Sequence, residues 1–173
     1  MNFIRIKSKK EAGYCRAMAL YAASFPLHEQ RLSDSQEHIL GLDAYHMELI
    51  EENGEPLGAI FFWETEAFIY VEHFCMEPSV RGKGFGEQAL ALLAERGKRI
   101  ILEIDPPVDD IARRRKGFYQ RCGFCENPYP HVHPAYRSEF QGHELVVMSY
   151  PSELDESVYR AFFTYLRDVV MVV

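Results

Sequence analysis

The residues whose types and order could do chemistry lie in a strand, a glycine-bearing loop and a helix between Phe68 and Glu95. Residues 68–76 (FIYVEHFCM) are mostly aromatic and β-branched, which predicts a buried strand. Gly82, Gly84 and Gly86 follow where the loop enters the helix, and glycine permits positive φ angles and close approach of a ligand. First-turn N–H groups of a helix have no intrahelical partner and carry partial positive charge. This order of elements predicts a phosphate-binding cradle.

The glycine loop does not fit the two common nucleotide-binding patterns. The P-loop pattern needs Ser or Thr directly after its lysine, but Gly84 follows Lys83. The dinucleotide pattern needs a third glycine where this chain has Glu87. The loop instead reads Arg-x-x-Gly-x-Gly, with Arg81, Gly84 and Gly86 at the defined positions.

A second motif lies downstream at residues 117–124, which read GFYQRCGF. It ends a predicted helix, and the apolar strand 99–104 (RIILEI) lies between it and the glycine loop. The two motifs, in this order, resemble the two signatures of the GNAT superfamily of acyl-CoA-dependent N-acetyltransferases. The resemblance covers element order from Phe3 to Tyr150 and is specific from Phe68 to Phe124.

The resemblance implies an enzyme that transfers an acetyl group from acetyl-CoA to a primary amine, by direct attack in a ternary complex and without a metal. In such an enzyme the backbone of Cys75 and Met76 pairs with the pantetheine arm. The pyrophosphate is held by a loop whose residues here are Arg81, Gly82, Lys83, Gly84, Phe85 and Gly86. Ala112 stands where many family members have an asparagine that contacts the pantetheine, so this chain departs from the pattern there.

Tyr119 occupies the position of the family's general acid, which would protonate the leaving thiolate. A phenol with a pKa near ~10 can donate a proton to a thiolate whose pKa is near ~8.5. The alternative is a tyrosine that only packs in the core beside Phe118.

An acceptor ammonium must lose a proton before it attacks, because only the neutral amine is a nucleophile. Glu72, His73 and Glu103 lie on the two strands that separate beside the cofactor in this family. Glu103 interrupts an apolar strand, and a buried carboxylate is costly unless it has a partner or a function. We therefore predict Glu103 and Glu72 as bases; the alternatives are a chain of water molecules or purely structural carboxylates.

The resemblance places the acceptor pocket between residues 25–31 and the loop 131–137. Mixed charge and several aromatic residues there indicate a small polar or amino-acid-like amine. The candidate side chains are His28, Glu29, Arg31, His131, His133, Tyr136 and Arg137.

The 173 residues predict one domain, 1–173, of mixed α/β (α+β) architecture. We expect a GNAT-like, mostly antiparallel sheet flanked by helices, with a C-terminal helical extension over about 152–173. The net charge of −7 argues against nucleic-acid binding. No apolar run approaches the ~20 residues of a membrane span, and Cys15 and Cys75 are predicted to be buried. These features favour a cytoplasmic protein.

The element boundaries give further expectations. Ser8 to Glu11 forms a capping-box pattern, which predicts a helix from Lys9. Residues 124–129 and 144–150 are predicted as strands, and Ser152 as the cap of the last helix.

Three other interpretations stay open. Cys122 and Cys125, with His131 and His133, have some of the residue types of a zinc site. The domain could also be a non-catalytic, CoA-binding regulatory or interaction module. The apolar stretch Tyr165 to Val173 could pair with a second copy in a homodimer, or pack within the monomer.

Overall fold

A seven-stranded sheet forms the centre of the protein, which is described by a computed structural model over residues 1–172. Its strands are β1 (Asn2–Ile6), β2 (Tyr45–Glu52), β3 (Glu55–Glu64), β4 (Phe68–Met76), β5 (Arg99–Ile104), β6 (Cys125–Glu126) and β9 (Val146–Tyr150). Two short strands, β7 (Val132–His133) and β8 (His143–Glu144), pair with each other in a separate two-stranded sheet. The α-helices are α1 (Tyr14–Ser24), α2 (Ser33–Ile39), α3 (Phe85–Ala94), α4 (Asp110–Arg121) and α5 (Glu156–Tyr165). A π-helical turn, Leu166–Val170, extends α5.

The sheet order is β1-β2-β3-β4-β5-β9-β6, and only the β4–β5 pair is parallel. This confirms the predicted mixed, mostly antiparallel sheet. The β4–β5 ladder runs from Phe68 opposite Arg99 to Val71 opposite Leu102 and stops there. Both strands continue past that point, so their carboxyl ends separate. The edge of β4 that faces β5 therefore lacks a ladder partner within residues 1–172 from Glu72 onward.

Helices cover both faces of the sheet. On one face α1, α2 and α5 pack on the alternate strand residues that include Trp63, Phe68 and Tyr70. On the other face α3 and α4 pack on the intervening residues, including Ile69 and Val71. We call these the α5 face and the α3 face.

A β-bulge in β4 changes this alternation at the point where the strands separate. Phe62 pairs with Val71 and Phe61 pairs with His73, so Glu72 is the extra residue. Bulges redirect side chains. As a result, Glu72 and His73 both point to the α5 face, where they contact Trp63 and Phe61 respectively.

Three predicted boundaries are wrong. Helix α1 begins at Tyr14 rather than Lys9, because Gly13 has a φ of 95° and interrupts any helix started by the capping box. The predicted strand 124–129 is only two residues long, since Pro128 and Pro130 have no N–H for a ladder. Helix α5 begins after Asp155 and not after Ser152.

The C-terminal extension is part of the α5-face core. Phe162, Leu166 and Val170 are fully buried there, and Arg31 Nη2 donates to the Val170 carbonyl oxygen at 2.6 Å. The predicted packing of this stretch within the monomer is confirmed at Leu166 and Val170, whereas Val172 is exposed. Residue 173 lies outside the described residues, and a homodimer through this stretch stays a prediction. No helix within residues 1–172 is long and apolar enough to cross a membrane.

We expect Phe162→Ala to lower the free energy of unfolding by about 3–5 kcal/mol, because it leaves a cavity under α5. Val172→Ala is the control: this exposed valine should change stability by less than about 0.5 kcal/mol. Urea denaturation measures both. Equal, small effects would show that α5 is not anchored in the core.

Candidate active site

A cavity of about 570 Å³ opens between the separated ends of β4 and β5. It runs from the glycine loop and the start of α3, past Tyr119 of α4, to the loop around His133. Side chains from both strands, both predicted motifs and the 131–137 loop thus line one continuous space. Most of the predicted site residues line this space; those that do not are Lys83, Phe85, His28, Arg31, His131 and Arg137.

The glycine loop forms the open end of the cavity. Gly82 and Gly84 have φ angles of 74° and 83°, a region that side chains other than glycine rarely adopt. A Cβ atom on Gly82 would meet no atom within 4 Å, so the backbone there is open to a ligand. Arg81 Nε donates to the Met76 carbonyl oxygen at 3.0 Å and ties the loop to the end of β4. Gly84 directly precedes α3, so the first-turn N–H groups of that helix face the loop.

Tyr119 lies on α4 between Phe118 and Phe124, and it lines the cavity near Cys75. Burial raises the pKa of the Tyr119 phenol above its ordinary value. Among residues 1–172 its hydroxyl has no hydrogen-bond partner in the protein. The group is therefore a protonated phenol with a hydrogen available to the cavity.

Glu72 is fully buried and accepts three hydrogen bonds at 2.8 Å, from Arg31 Nε, Trp63 Nε1 and the Tyr136 hydroxyl. Burial alone would raise the pKa of Glu72, but the Arg31 guanidinium and these donors hold it below its ordinary value. The carboxylate is thus ionised and heavily bonded. It joins β4 to β3, to the segment before α2 and to the 131–137 loop.

Glu103 lies on the same face of the sheet, at the end of β5. The Tyr70 hydroxyl donates to its Oε2 at 2.5 Å, and His131 Nε2 makes a short contact with Oε1. His133 Nε2 is 3.8 Å from Oε2. Burial raises the pKa of Glu103, but the interaction with the neighbouring His133 ring and the hydrogen bonds from His131 and Tyr70 bring it below its ordinary value. This carboxylate is the centre of a cluster of buried rings.

Two buried histidines each leave one ring nitrogen without a hydrogen-bond partner among the described residues. His73 donates from Nε2 to the Glu29 carbonyl oxygen at 2.9 Å, which leaves Nδ1 bare. His133 donates from Nδ1 to the Pro134 carbonyl oxygen at 2.6 Å, which leaves Nε2 bare. Burial lowers the pKa of His73 to about 4, so that ring is neutral at pH 7.

The predicted acceptor-pocket residues lie at different places around the cavity. Tyr136 and Arg31 belong to the Glu72 cluster, whereas His28 lies farther out, 5.7 Å from the His143 ring. Glu29 lines the cavity, and burial raises its pKa. Arg137 donates to the backbone carbonyl oxygens of residues 30 and 31 and so ties the two pocket walls together.

The zinc interpretation has no support in the described geometry. No group of three or more His, Cys, Asp or Glu side chains within residues 1–172 is placed to hold a metal ion. His131 and His133 turn toward Glu103, while Cys122 and Cys125 lie at the end of α4. Cys75 is buried as predicted, but Cys15 is exposed, so the prediction for Cys15 is wrong.

Sequence reasoning missed three residues that hold the carboxylates: Trp63, Tyr70 and Tyr159. Tyr70 is two residues before Glu72, and the strand alternation of β4 could have placed it on the α5 face beside β5. Trp63 lies nine residues before Glu72 on the adjacent strand β3, whereas Tyr159 lies on α5 and contacts Glu103 only through His131. No local pattern signals such contacts.

We expect Glu72→Gln to destabilise the protein by about 3–5 kcal/mol at pH 7, because it breaks the buried Glu72–Arg31 ion pair. The folded pKa of Glu72 is depressed, so its stabilising effect is present above the unfolded value of ~4.3 and is lost as pH falls through the folded value. The loss in Glu72→Gln should therefore shrink below pH ~4.3.

Urea denaturation at pH 7 and at acidic pH measures this difference. Glu66→Gln, in the exposed turn between β3 and β4, is the matched control and should be neutral at both. A pH-independent loss in Glu72→Gln would contradict the ionised state of Glu72.

The chain is similar to known proteins in sequence and in structure. The sequence profile of the acetyltransferase (GNAT) family matches residues 14–124. The Bacillus subtilis (strain 168) protein YjbC, provisionally named an acetyltransferase, is 31% identical over 101 residues, which are 56% of this chain and 50% of that protein. This chain thus spans about half of the length of that relative.

Two solved structures extend the comparison. A GNAT-family protein of Bacteroides thetaiotaomicron, provisionally described as an acetyltransferase, has a TM-score of 0.93 at 30% identity, over 100% of this chain and 99% of that one. A Bacillus subtilis acetyltransferase in complex with CoA has a TM-score of 0.57 at 16% identity, over 86% of this chain and 96% of that one, and this likeness shows the fold alone. As its two motifs predict, this chain belongs to the acetyltransferase (GNAT) family.

Proposed function

We propose that this protein transfers an acetyl group from acetyl-CoA to the primary amine of a small acceptor in a ternary complex. The observation that carries the proposal is the single cavity that joins the glycine loop, the unpaired edge of β4 and the buried Tyr119 hydroxyl. The Bacillus subtilis acetyltransferase with CoA and an aminoglycoside 6'-N-acetyltransferase complexed with coenzyme A, both similar in fold, support CoA as the ligand.

The proposed cofactor contacts follow the length of the cavity. The pyrophosphate would accept hydrogen bonds from backbone N–H groups of residues 82–86, whose glycine conformations leave room for it. The pantetheine arm would add to the unpaired edge of β4 at Cys75 and Met76, as an extended peptide adds to a sheet edge. Lys83 is exposed beside this loop, and Phe85 opens α3.

In the proposed reaction the neutral amine nitrogen attacks the thioester carbonyl carbon. A backbone N–H between Phe74 and Met76 would stabilise the oxyanion. The C–S bond then breaks, and the thiolate takes a proton from Tyr119, which regains one from the former amine nitrogen. A phenol made less acidic by burial stays protonated until this step.

The two carboxylates would have different roles. The three donors on Glu72 favour a positioning role, in which it holds Tyr136 and the pocket walls in place. Glu103 is joined to two histidines and stays a candidate for proton transfer. The acceptor, the choice of base and the cytoplasmic location remain proposals.

Acetyl-CoA should stabilise the protein against heating, whereas ATP and NAD should not. Ligand at 100 times its Kd adds about 2.7 kcal/mol, which a thermal-shift series detects readily. Gly82→Val should lose this stabilisation, because its side chain would occupy the open cradle. Gly54→Val is the matched control, since Gly54 has a φ of 80°, has equal open space and lies in the β2–β3 turn.

Both valine variants should carry a similar strain cost of about 1–2 kcal/mol. Only Gly82→Val should also lose acetyl-CoA binding. If acetyl-CoA fails to stabilise the unaltered protein, the proposed function is wrong.

Tyr119→Phe should lower kcat by about 10²–10⁴-fold on any amine that a CoA-release screen identifies, while acetyl-CoA binding stays the same. Tyr14→Phe, at a residue that does not line the cavity, should keep full activity. If Tyr119→Phe keeps the full kcat, the Tyr119 phenol takes no part in the reaction. Acetyl-CoA binding without turnover of any amine would instead favour the non-catalytic module.

A further inference from the structure

His133 presents a bare, buried ring nitrogen to the acceptor end of the cavity. Its side chain is only 3% exposed, and Nε2 has no hydrogen-bond partner among residues 1–172. The bond from Nδ1 to the Pro134 carbonyl oxygen sets the tautomer, because a carbonyl can only accept. A buried nitrogen without a hydrogen-bond partner costs free energy. A ligand that donates a hydrogen bond to Nε2 would remove this cost.

The electrostatics around Nε2 favour a cation. Glu103 Oε2 is 3.8 Å away, and Glu29 lines the same space. Arg31 and Arg115 are each bonded to a carboxylate, Glu72 at 2.8 Å and Asp105 at 2.5 Å. The titratable groups that interact with His133 from the surrounding elements are Glu29, His73, Glu103, Tyr136 and His143. Tyr70 and His131 bond to Glu103 on its other side.

We propose that His133 Nε2 is the atom that receives the proton of the acceptor ammonium, with the Glu103 carboxylate balancing the charge. The inference rests on the proposed function. It restricts the acceptor to a molecule whose ammonium group has no carboxylate group beside it. One N–H bond of the ammonium breaks, its electron pair stays on the amine nitrogen, and the proton forms a new bond to Nε2. The imidazolium then lies against Glu103 and returns the proton to water after product leaves.

His73 is the other histidine with a bare nitrogen, but it suits proton transfer less well. Its ring packs edge-on against Tyr21 and Phe25, with centroid distances of 4.7 Å to both. Burial holds its pKa near 4, so an ammonium would not give it a proton at pH 7. His73 Nδ1 can accept a hydrogen bond and help to orient the acceptor.

The test uses two CoA thioethers of equal size, S-(2-aminoethyl)-CoA and S-propyl-CoA. Both carry the CoA moiety, but only the first places an ammonium beyond the sulfur, where the acceptor would lie. Isothermal titration calorimetry at pH 7 should give at least a 10-fold lower Kd for the aminoethyl compound. In ¹⁵N-histidine NMR, that compound alone should move His133 Nε2 from the bare toward the protonated range.

His133→Asn is the informative variant, because its amide can keep the bond to the Pro134 carbonyl oxygen while Nε2 is removed. It should bind S-propyl-CoA normally and lose most of the ammonium preference. His38→Asn, on the exposed side of α2, is the control and should behave like the unaltered protein. Thermal melts verify that each variant is folded.

The outcomes separate the inference from the proposed function. If S-propyl-CoA binds but the ammonium gives no advantage, or if His133→Asn keeps the full advantage, the assignment of His133 is wrong and the CoA site stands. An unmoved Nε2 signal in the aminoethyl complex overturns it as well. If neither compound binds, the proposed function fails and the inference fails with it.

Discussion

The site depends on one geometric constraint, the end of the parallel β4–β5 ladder at Val71 and Leu102. Up to that pair the two strands are neighbours in a continuous sheet, and their backbone groups bond to each other. Past it, backbone groups of β4 are left facing open space, and the cavity fills the gap. A parallel pair requires a crossover connection, and here the crossover contains the glycine loop and α3. The same connection that makes the pair parallel therefore brings the phosphate cradle to the mouth of the gap.

The site also requires that the carboxylates of Glu72 and Glu103 stay ionised although they are buried. Strand alternation from Tyr70 places Glu72 on the α5 face, where Arg31 and two neutral donors compensate its burial. Glu103 has no guanidinium partner among the described residues and is bonded to tyrosine and histidine side chains. The first arrangement is stiff and leaves little capacity for a substrate. The cluster around Glu103 includes His133, which can gain and lose a proton. We therefore assign proton transfer to His133.

Much of this arrangement could be predicted from the sequence. Residues 68–76, the glycine loop and the run around Tyr119 are local patterns with strong periodicity, and the order of the motifs indicated the family. Predictions failed where a single residue overrides a pattern, as Gly13 does before α1. Arg31, Tyr136 and His131 could not be identified as partners of the carboxylates, because they come from distant segments. The bulge that puts His73 on the same face as Glu72 was also out of reach, because the alternation of β4 does not reveal it.

The central claim is that the gap between β4 and β5 is the acetyl-CoA slot, and amide hydrogen exchange tests it most directly. Backbone amides of residues 74–76 and 82–86 should become protected when acetyl-CoA is added, because they gain hydrogen bonds from the ligand. Amides of the β1–β2 pair, on the far edge of the sheet, should keep their rates. Protection elsewhere, with no change along β4 and the glycine loop, would contradict the account.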